Sequence, residues 1–232
     1  MIPVTVRPAA RTPEKPMVYD RDYFEGRTSY FYQFGGYRDV GKYFTRLAGW
    51  LRPHTGSGPM LDLGCAYGFL LSRFDDGRRL YGCDVSEWAI RQAADRFPQG
   101  QFVTADGTGP LPYDDGRFET VLCTDVLEHI APERQTDVLA EVHRILAPAG
   151  RFCMTTPNLG RLRRWIYRRA DRLERHIGMR HLEGWKAELG RLGFQIADCW
   201  TYLNGFLPGR LHVTWLPECG IVARKAEGLR TV

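Results

Sequence analysis

From Met60 onward, short apolar runs alternate with segments of helical periodicity. The runs MLDLG, RLYGCD, QFVTAD, FETVLCTD and RFCMTTP predict buried strands. The segments SEWAIRQAADRF and PERQTDVLAEVHRIL predict amphipathic helices, with Ser86 as an N-cap and Pro132 in a first turn, and GFLLSRF predicts a shorter helix. Strands that alternate with helices predict a parallel sheet covered on both faces, with ligands bound beyond the carboxyl ends of its strands.

The N-terminal part departs from this alternation. Residues 1–18 are rich in proline and lack an apolar signal core, so they predict a disordered leader. Eight aromatic side chains follow between Tyr19 and Tyr37, and VGKYFTRLAGWL predicts a helix from Val40 to Leu51. We interpret residues 19–51 as a lid that closes over the site and excludes water.

The C-terminal part also departs from the alternation. An arginine-rich helix is predicted from Leu162 to Ile177, followed by a second helix in LEGWKAELGRLG. The stretches FQIADCWTYL and LHVTWLPECGIVARK predict two strands with no helix between them, so we expect an antiparallel hairpin at the sheet edge. The whole of residues 19–232 is predicted to form one domain, with residues 158–192 as a helical insertion at the substrate site.

Composition and charge narrow the functional classes. No run of about 18 apolar residues is present, which predicts the absence of a transmembrane segment. The six cysteines form no CxxC pair, so reduced thiols and a cytoplasmic location are expected. The net charge of +5 is local, because residues 161–180 hold eight arginines and two acids and carry +6, which leaves about −1 for the rest of the chain.

The first strand leads into a glycine loop, LDLGCAYGFL. A dinucleotide-binding loop has the pattern G-x-G-x-x-G, but counting from Gly64 the second and third glycine positions hold Ala66 and Phe69. Binding of a pyrophosphate is therefore disfavoured. The pattern that is present, Asp62, Gly64 and Gly68, brings backbone close to a smaller, zwitterionic ligand.

Two further acids extend this pattern. Asp84 follows the second predicted strand in YGCDVS, and Asp106 follows the third in TADG. These two acids, taken together with the stretches LDLGCAYGFL and LPYDDGRFETVLCTDVLEHI, resemble the motifs of class I S-adenosylmethionine-dependent methyltransferases. The resemblance covers roughly Met60 to Pro157 and continues more weakly to Phe194. The resemblance implies that Asp84 binds both ribose hydroxyls, for which a carboxylate is a natural acceptor, and that Asp106 binds the adenine amino group.

The resemblance also implies the fold and the cofactor. It implies an α/β, Rossmann-like fold with a seven-stranded, mostly parallel sheet and an antiparallel C-terminal edge. The expected cofactor is S-adenosylmethionine, with S-adenosylhomocysteine as the product. The implied cofactor-binding residues are Asp62, Gly64, Cys65, Ala66, Gly68, Asp84, Val85, Asp106, Gly107, Thr124 and Asp125. Ala66 stands where glycine is commoner in this family.

The DVLEHI stretch has two interpretations. Its residues either shape the loop beside the substrate pocket or bind a divalent metal, as the similar acid-x-x-Glu-His pattern does in ubiquinone-pathway O-methyltransferases and small-RNA 2′-O-methyltransferases. Asp125 replaces the glutamate of those families and has a shorter reach, so we expect no metal. A full metal set would be Asp125, Glu128, His129 and His181.

Histidines are the candidate catalytic groups, because their pKa lies near neutrality. His176 precedes Trp185 by nine residues, with Gly193 and Phe194 after it, and this spacing resembles that of a pocket histidine in small-molecule methyltransferases. His181 instead fits the metal-binding histidine of the RNA enzymes. The first catalytic candidate is therefore His176, and the second is His129.

The arginine-rich helix suggests the acceptor. The helix has one apolar stripe that is predicted to dock on the core, formed by Leu162, Trp165, Ile166, Leu173 and Ile177. Its arginines would then face solvent, an anionic substrate, a membrane surface or nucleic acid. The expected substrate-binding residues are Tyr23, Tyr30, Tyr32, Arg164 and His181.

These observations predict methyl transfer to an oxygen or nitrogen of a small molecule, an anionic or biosynthetic intermediate. The alternatives are a metal-dependent RNA 2′-O-methyltransferase and a non-catalytic module that kept the cofactor fold. We expect a small-molecule partner, no DNA or RNA partner, and a monomer or homodimer.

Overall fold

The computed structural model describes residues 18–39, 43–203 and 210–226. Seven strands form one sheet: β1 (Met60–Leu63), β2 (Leu80–Asp84), β3 (Gln101–Thr104), β4 (Phe118–Thr124), β5 (Leu146–Pro157), β6 (Phe194–Tyr202) and β7 (Glu218–Lys225). The α-helices of the described residues are α1 (Arg21–Phe24), α2 (Tyr43–Leu51), α3 (Glu87–Arg96), α4 (Pro132–Ile145), α5 (Arg161–Ile166), α6 (Arg168–Leu173) and α7 (Leu182–Arg191). The predicted leader lies outside the described residues except for Val18, as do residues 40–42 of the predicted first helix.

The strand order is β3-β2-β1-β4-β5-β7-β6. Strands β1 to β5 pair in parallel, and β7 pairs antiparallel with both β5 and β6. The predicted seven-stranded, mostly parallel fold with an antiparallel edge is confirmed. The last strand inserts between β5 and β6, so the outermost strand is β6. The order of the strands reverses between β1 and β4, which is where sheets of this type bind ligands.

Side chains of the central strands pack into two hydrophobic layers. Leu61 and Leu63 of β1 point into a cluster with α4 and α7, whereas Met60 points to the other face, against α2. All residues of β1 and β2 are buried, as expected for parallel strands covered on both sides. The carboxyl ends of these strands are therefore held rigidly at one edge of the sheet.

Most local predictions are confirmed, with differences at element ends. The Ser86 hydroxyl accepts a hydrogen bond from the Ala89 backbone N–H at 3.2 Å and so caps α3, and Pro132 starts α4. The GFLLSRF segment forms only a short 3₁₀ helix, Leu71–Phe74. The fifth strand, predicted as RFCMTTP from Arg151, begins earlier, at Leu146 directly after α4.

The prediction for the arginine-rich helix is wrong in two respects. The segment forms two short helices, α5 and α6, that are separated at Tyr167 (φ −107°, ψ 4°). Its apolar stripe does not dock on the core, because Trp165 is 83% exposed while Arg163 is only 2% exposed. The physical reason is that the buried Arg163 guanidinium pairs with two buried carboxylates, which holds that side of α5 inward.

None of the described helices is long and apolar enough to cross a membrane. All six cysteines fall within the described residues and none forms a disulfide.

Candidate functional site

A cavity of about 860 Å³ lies at the carboxyl ends of β1, β2 and β4, closed on other sides by residues 19–38 and 43–46 and by the segment after β5. The cavity brings together most of the predicted site residues: Asp62, Gly64, Cys65, Ala66, Asp84, Val85, Asp106, Gly107, Thr124, Asp125, Tyr23, Tyr32, His129 and His176. Four predicted site residues are not among those that line it: Gly68, Tyr30, Arg164 and His181.

The loop after β1 has a left-handed backbone at alternate positions. Gly64, Ala66 and Gly68 have φ values of 78°, 45° and 71°. A Cβ on Gly64 would lie 2.3 Å from Cγ2 of Val126, so this position needs glycine for space as well as for conformation. Ala66 takes the same strained conformation with a methyl group, which explains why glycine is the usual residue there. Gly68 shapes the loop without lining the cavity.

Asp84 connects this loop to the end of β2. Its Oδ2 accepts a hydrogen bond from the Ala66 N–H at 2.9 Å, and its Oδ1 accepts one from the Ser86 N–H at 2.9 Å. Burial raises the pKa of Asp84, and these two N–H groups partly oppose that rise. Each carboxylate oxygen can accept a further bond, so the group suits a pair of ligand hydroxyls.

Asp62 presents an unsatisfied atom to the same cavity. The side chain is 2% exposed, and its Oδ1 has no hydrogen-bond partner among the described residues. Burial, with the nearby charge of Asp84, raises the pKa of Asp62 to about 7. A buried carboxylate oxygen without a partner is costly, so a cationic or hydrogen-donating ligand would stabilise it. Together with the glycine loop and Asp84, this arrangement fits the aminoacyl and ribose groups of S-adenosylmethionine.

Two more acids mark the strand ends. Asp106 is exposed, and its Oδ1 accepts hydrogen bonds from the Thr108 N–H at 2.8 Å and the Thr108 hydroxyl at 2.9 Å. Asp125 has a φ of 55°, and its carboxylate accepts bonds from the Tyr43 hydroxyl at 2.8 Å and the Thr155 hydroxyl at 3.1 Å. A strained non-glycine residue at a cavity wall is typical of a functional site.

The opposite wall holds an ordered row of charged groups. The His176 Nδ1 lies 2.8 Å from Asp171 Oδ1, and the Arg163 guanidinium donates to the same carboxylate at 2.5 Å and to Glu218 Oε1 at 2.7 Å. Burial alone would raise the pKa of Asp171, but the hydrogen bonds from His176 and Arg163 lower it below its usual value. The ionised carboxylate holds a proton on Nδ1 of His176, which leaves Nε2 as a proton acceptor.

A second histidine lies against the first. The rings of His129 and His176 are 4.7 Å apart and nearly perpendicular. Burial, together with the neighbouring His176, lowers the pKa of His129 to about 3, so the ring is neutral near pH 7. Its Nδ1 is buried and has no partner among the described residues. This nitrogen is therefore available to a ligand beside the candidate base.

Glu128, His129 and His176 form a cluster that can hold a divalent metal, since their ligand atoms all lie within 4.8 Å of one another. Glu128 is 2% exposed and accepts a bond from the Thr156 hydroxyl at 3.1 Å. Burial raises the pKa of Glu128 well above its usual range. The four-residue metal set of the RNA alternative is not assembled, because His181 is an exposed residue at the start of α7 and does not line the cavity.

The N-terminal segment 18–39 is tied to this wall through Glu174. Glu174 is 0% exposed and accepts hydrogen bonds from the Tyr23 hydroxyl at 3.1 Å, the Ser29 hydroxyl at 2.7 Å and the Phe31 N–H at 2.9 Å. The Tyr19 ring lies edge-on to His129 at 5.7 Å. Aromatic side chains of residues 18–39 therefore form a wall of the cavity, as the lid hypothesis requires.

Comparison with known proteins shows the family. Residues 61–154 match a family model described as a methyltransferase domain. The matched segment belongs to the class I S-adenosylmethionine-dependent methyltransferases. The chain is 28% identical over 109 residues to an uncharacterized methyltransferase of Synechocystis sp., and the match covers 47% of this chain and 50% of that protein. It is 29% identical over 150 residues to the ubiquinone/menaquinone biosynthesis C-methyltransferase UbiE of Paracoccus denitrificans, with 58% of this chain and 56% of that protein covered.

The matches span only 50% and 56% of the length of these two curated relatives. Among solved structures, the chain resembles the [4+2]-cyclase SpnF with a TM-score of 0.62 and 19% identity, over 79% of this chain and 81% of that one. That similarity concerns the fold, which also supports a cyclase and so does not by itself define a reaction.

The sequence analysis did not identify several residues of the candidate site. Asp171 and Glu174 are the two acids of the arginine-rich stretch. They lie within five residues of His176 in the sequence, and this proximity indicates that they could contact the candidate base. Arg163 was passed over in favour of Arg164, although adjacent helical residues point about 100° apart. Glu218 carries no local signal, because only the insertion of β7 brings it to Arg163.

Proposed function

We propose that this chain transfers a methyl group from S-adenosylmethionine to an oxygen or nitrogen of a small molecule. The observation that carries the proposal is that one cavity is lined by the cofactor acids Asp62 and Asp84 and by His176, whose Nδ1 is hydrogen-bonded to Asp171 behind it. The first pair suits the cofactor, and the second suits removal of a proton from an acceptor.

When bound, the cofactor supplies a methyl group that is already activated on a sulfonium. The loop at Gly64 to Gly68, with Asp62, Asp84 and Asp106, would hold and orient it. Asp171 keeps a proton on Nδ1 of His176, and Nε2 then takes the proton that an oxygen or nitrogen acceptor loses. The aromatic wall from residues 18–39 excludes water, and positioning of the acceptor supplies much of the rate.

The charges of the cavity support a neutral or cationic acceptor. Seven acids line the cavity, whereas its arginines are Arg38, Arg46 and Arg163, and Arg163 is already paired with two carboxylates. Burial raises the pKa of three of these acids, Asp62, Glu128 and Glu218, which lowers their negative charge near pH 7. The four other acids still outnumber Arg38 and Arg46, which disfavours an anionic acceptor. Arg164, which suggested an anionic intermediate, is exposed outside the cavity.

The test is turnover of labelled S-adenosylmethionine with a panel of amines, phenols and alcohols, comparing His176→Asn with His181→Asn. We expect His176→Asn to lower kcat by about 10²–10⁴-fold with unchanged affinity for S-adenosylhomocysteine, because a positioned base contributes about that much. The matched His181→Asn should leave kcat within about twofold. Equal effects of the two variants would remove His176 as the base, and transfer to carbon alone would overturn the choice of acceptor atom. Cofactor binding without turnover would favour the non-catalytic module.

One alternative is favoured by a specific observation. The cluster of Glu128, His129 and His176 suits a divalent metal, which would orient an acceptor hydroxyl. We keep the expectation of a metal-independent, cytoplasmic enzyme as our proposal. Loss of activity in EDTA, with recovery on adding Mg²⁺ or Mn²⁺, would contradict this proposal and support a metal-dependent enzyme. Binding of RNA at moderate salt would support the RNA 2′-O-methyltransferase alternative.

A further inference from the structure

We infer that the outer face of residues 161–177 docks the protein on the surface of an anionic lipid bilayer. This face consists of four apolar side chains and five arginines on α5, α6 and the turn that follows: Trp165, Ile166, Leu173, Ile177, Arg161, Arg164, Arg168, Arg169 and Arg172. The inference concerns where the protein works and does not depend on the proposed reaction.

The apolar side chains of this face are unusually exposed. Trp165 is 83% exposed, Ile177 59%, Leu173 46% and Ile166 45%. Single apolar residues on a protein surface need no explanation, but four within one short segment indicate an interaction site. Trp215 is 60% exposed and adds a second indole to this region. It lies near the start of α5, because its backbone oxygen is 3.9 Å from the position that a Cβ atom on Gly160 would occupy.

The charge of the face has one sign. The two acids of the segment, Asp171 and Glu174, are buried and point inward, the first to Arg163 and His176 and the second to residues 23–31. The five arginines of the face are exposed, and none makes a side-chain hydrogen bond or ion pair with another described residue. Nothing on the described part of the chain neutralises them, which leaves them available to an anionic partner.

The combination of residues selects among anionic partners. Tryptophan and arginine are the side chains that anchor proteins at the level of lipid head groups, and the aliphatic residues can enter the acyl boundary. A nucleic acid would pair with the arginines but leave Ile166, Leu173 and Ile177 in water. A second copy of the chain would place arginines against arginines, which is repulsive.

The inner side of the same segment forms the cavity wall. Arg163, Glu174 and His176 line the cavity, and so does Phe31, which is 49% exposed and whose ring centroid lies 6.2 Å from that of His176. Docking therefore places the cavity wall directly beside the lipid head groups. An acceptor carried in the membrane surface would then have a short path to the site.

The test is flotation of the full chain with vesicles of phosphatidylcholine alone or mixed with phosphatidylglycerol. We expect binding to the mixed vesicles, weakened by salt, with a blue shift of tryptophan fluorescence. Trp165→Ser should lower the partition coefficient about tenfold, and Arg168→Ala and Arg169→Ala about fivefold each. The matched control Arg91→Ala removes an exposed arginine from α3 and should bind as the wild type does.

All variants should keep their affinity for S-adenosylhomocysteine, which shows that they fold. Absence of binding, or equal binding to neutral and anionic vesicles, would overturn the inference. The inference would also be overturned if the protein bound RNA at physiological salt but did not bind vesicles. The same holds if the protein formed a dimer that Trp165→Ser dissociates and did not bind vesicles.

Discussion

The two walls of the cavity are built in different ways. On the cofactor side, the functional acid is held at the ends of two adjacent strands, since Asp84 accepts hydrogen bonds from the Ala66 and Ser86 N–H groups. On the opposite side, Arg163 pairs with the nearby Asp171 but also with Glu218, which is 55 residues away in the chain. A site made of strand ends can be recognised from motifs, whereas a site made of long-range ion pairs cannot.

The largest test of this contrast compares two neighbouring arginines. Arg163→Ala leaves the buried carboxylates of Asp171 and Glu218 without their cation, so we expect the free energy of unfolding to fall by about 3–5 kcal/mol. Arg164→Ala removes an exposed side chain that has no partner among the described residues, so it should change this free energy by less than about 0.5 kcal/mol. Chemical denaturation measures both values. A similar loss of stability in the two variants would contradict the conclusion that the Arg163 side chain is buried and the Arg164 side chain is exposed.

On the cofactor side, Asp84→Ala should lower the affinity for S-adenosylhomocysteine about 100-fold, because about 2–3 kcal/mol of charge-assisted hydrogen bonding is lost. Titration calorimetry measures the change, with the exposed Asp114→Ala as the control. Binding close to that of the wild type would remove Asp84 from the site.

A smaller effect concerns pH and Asp62. The pKa of Asp62 is raised to about 7 in the folded protein and is near 3.8 in the unfolded chain. Between pH 3.8 and pH 7 the folded state therefore binds one more proton than the unfolded state. The stabilisation is present at low pH and is lost as the pH rises through about 7, by at most about 1.4 kcal/mol per pH unit. Denaturation of the ligand-free protein at pH 5, 6 and 7 should show this slope reduced in Asp62→Asn. An unchanged slope in the variant would show that other groups, such as Glu218 with its pKa of about 8, dominate.

The smallest expected effect tests the strained loop. Ala66 has a φ of 45°, and glycine would relieve the left-handed strain while adding entropy to the unfolded chain. We expect Ala66→Gly to stabilise the protein by about 0.5 kcal/mol, with cofactor affinity unchanged, and Ala66→Val to destabilise it. Thermal melting measures both changes, and a destabilised glycine variant would show that the methyl group has a packing role.

The sequence by itself determined the sheet, its order of strands and helices, and the cofactor wall. These features depend on apolar runs, a glycine loop and acids placed directly after strands, and all of these are local in the chain. The loop residues, Asp62 and Asp84 lie in the cavity for that reason.

Only the tertiary structure decided the acceptor wall. A helical stripe indicates two faces but not which one is buried, and in residues 161–177 the ion pairs of Arg163 outweigh the burial of Trp165 and Ile177. The same packing placed His176 rather than His181 at the cavity, brought Glu174 to the cavity wall against residues 23–31, and inserted β7 so that Glu218 reaches Arg163. The contacts of Glu174 and Glu218 join residues far apart in the chain, so no local pattern could encode which partners these two charges would find.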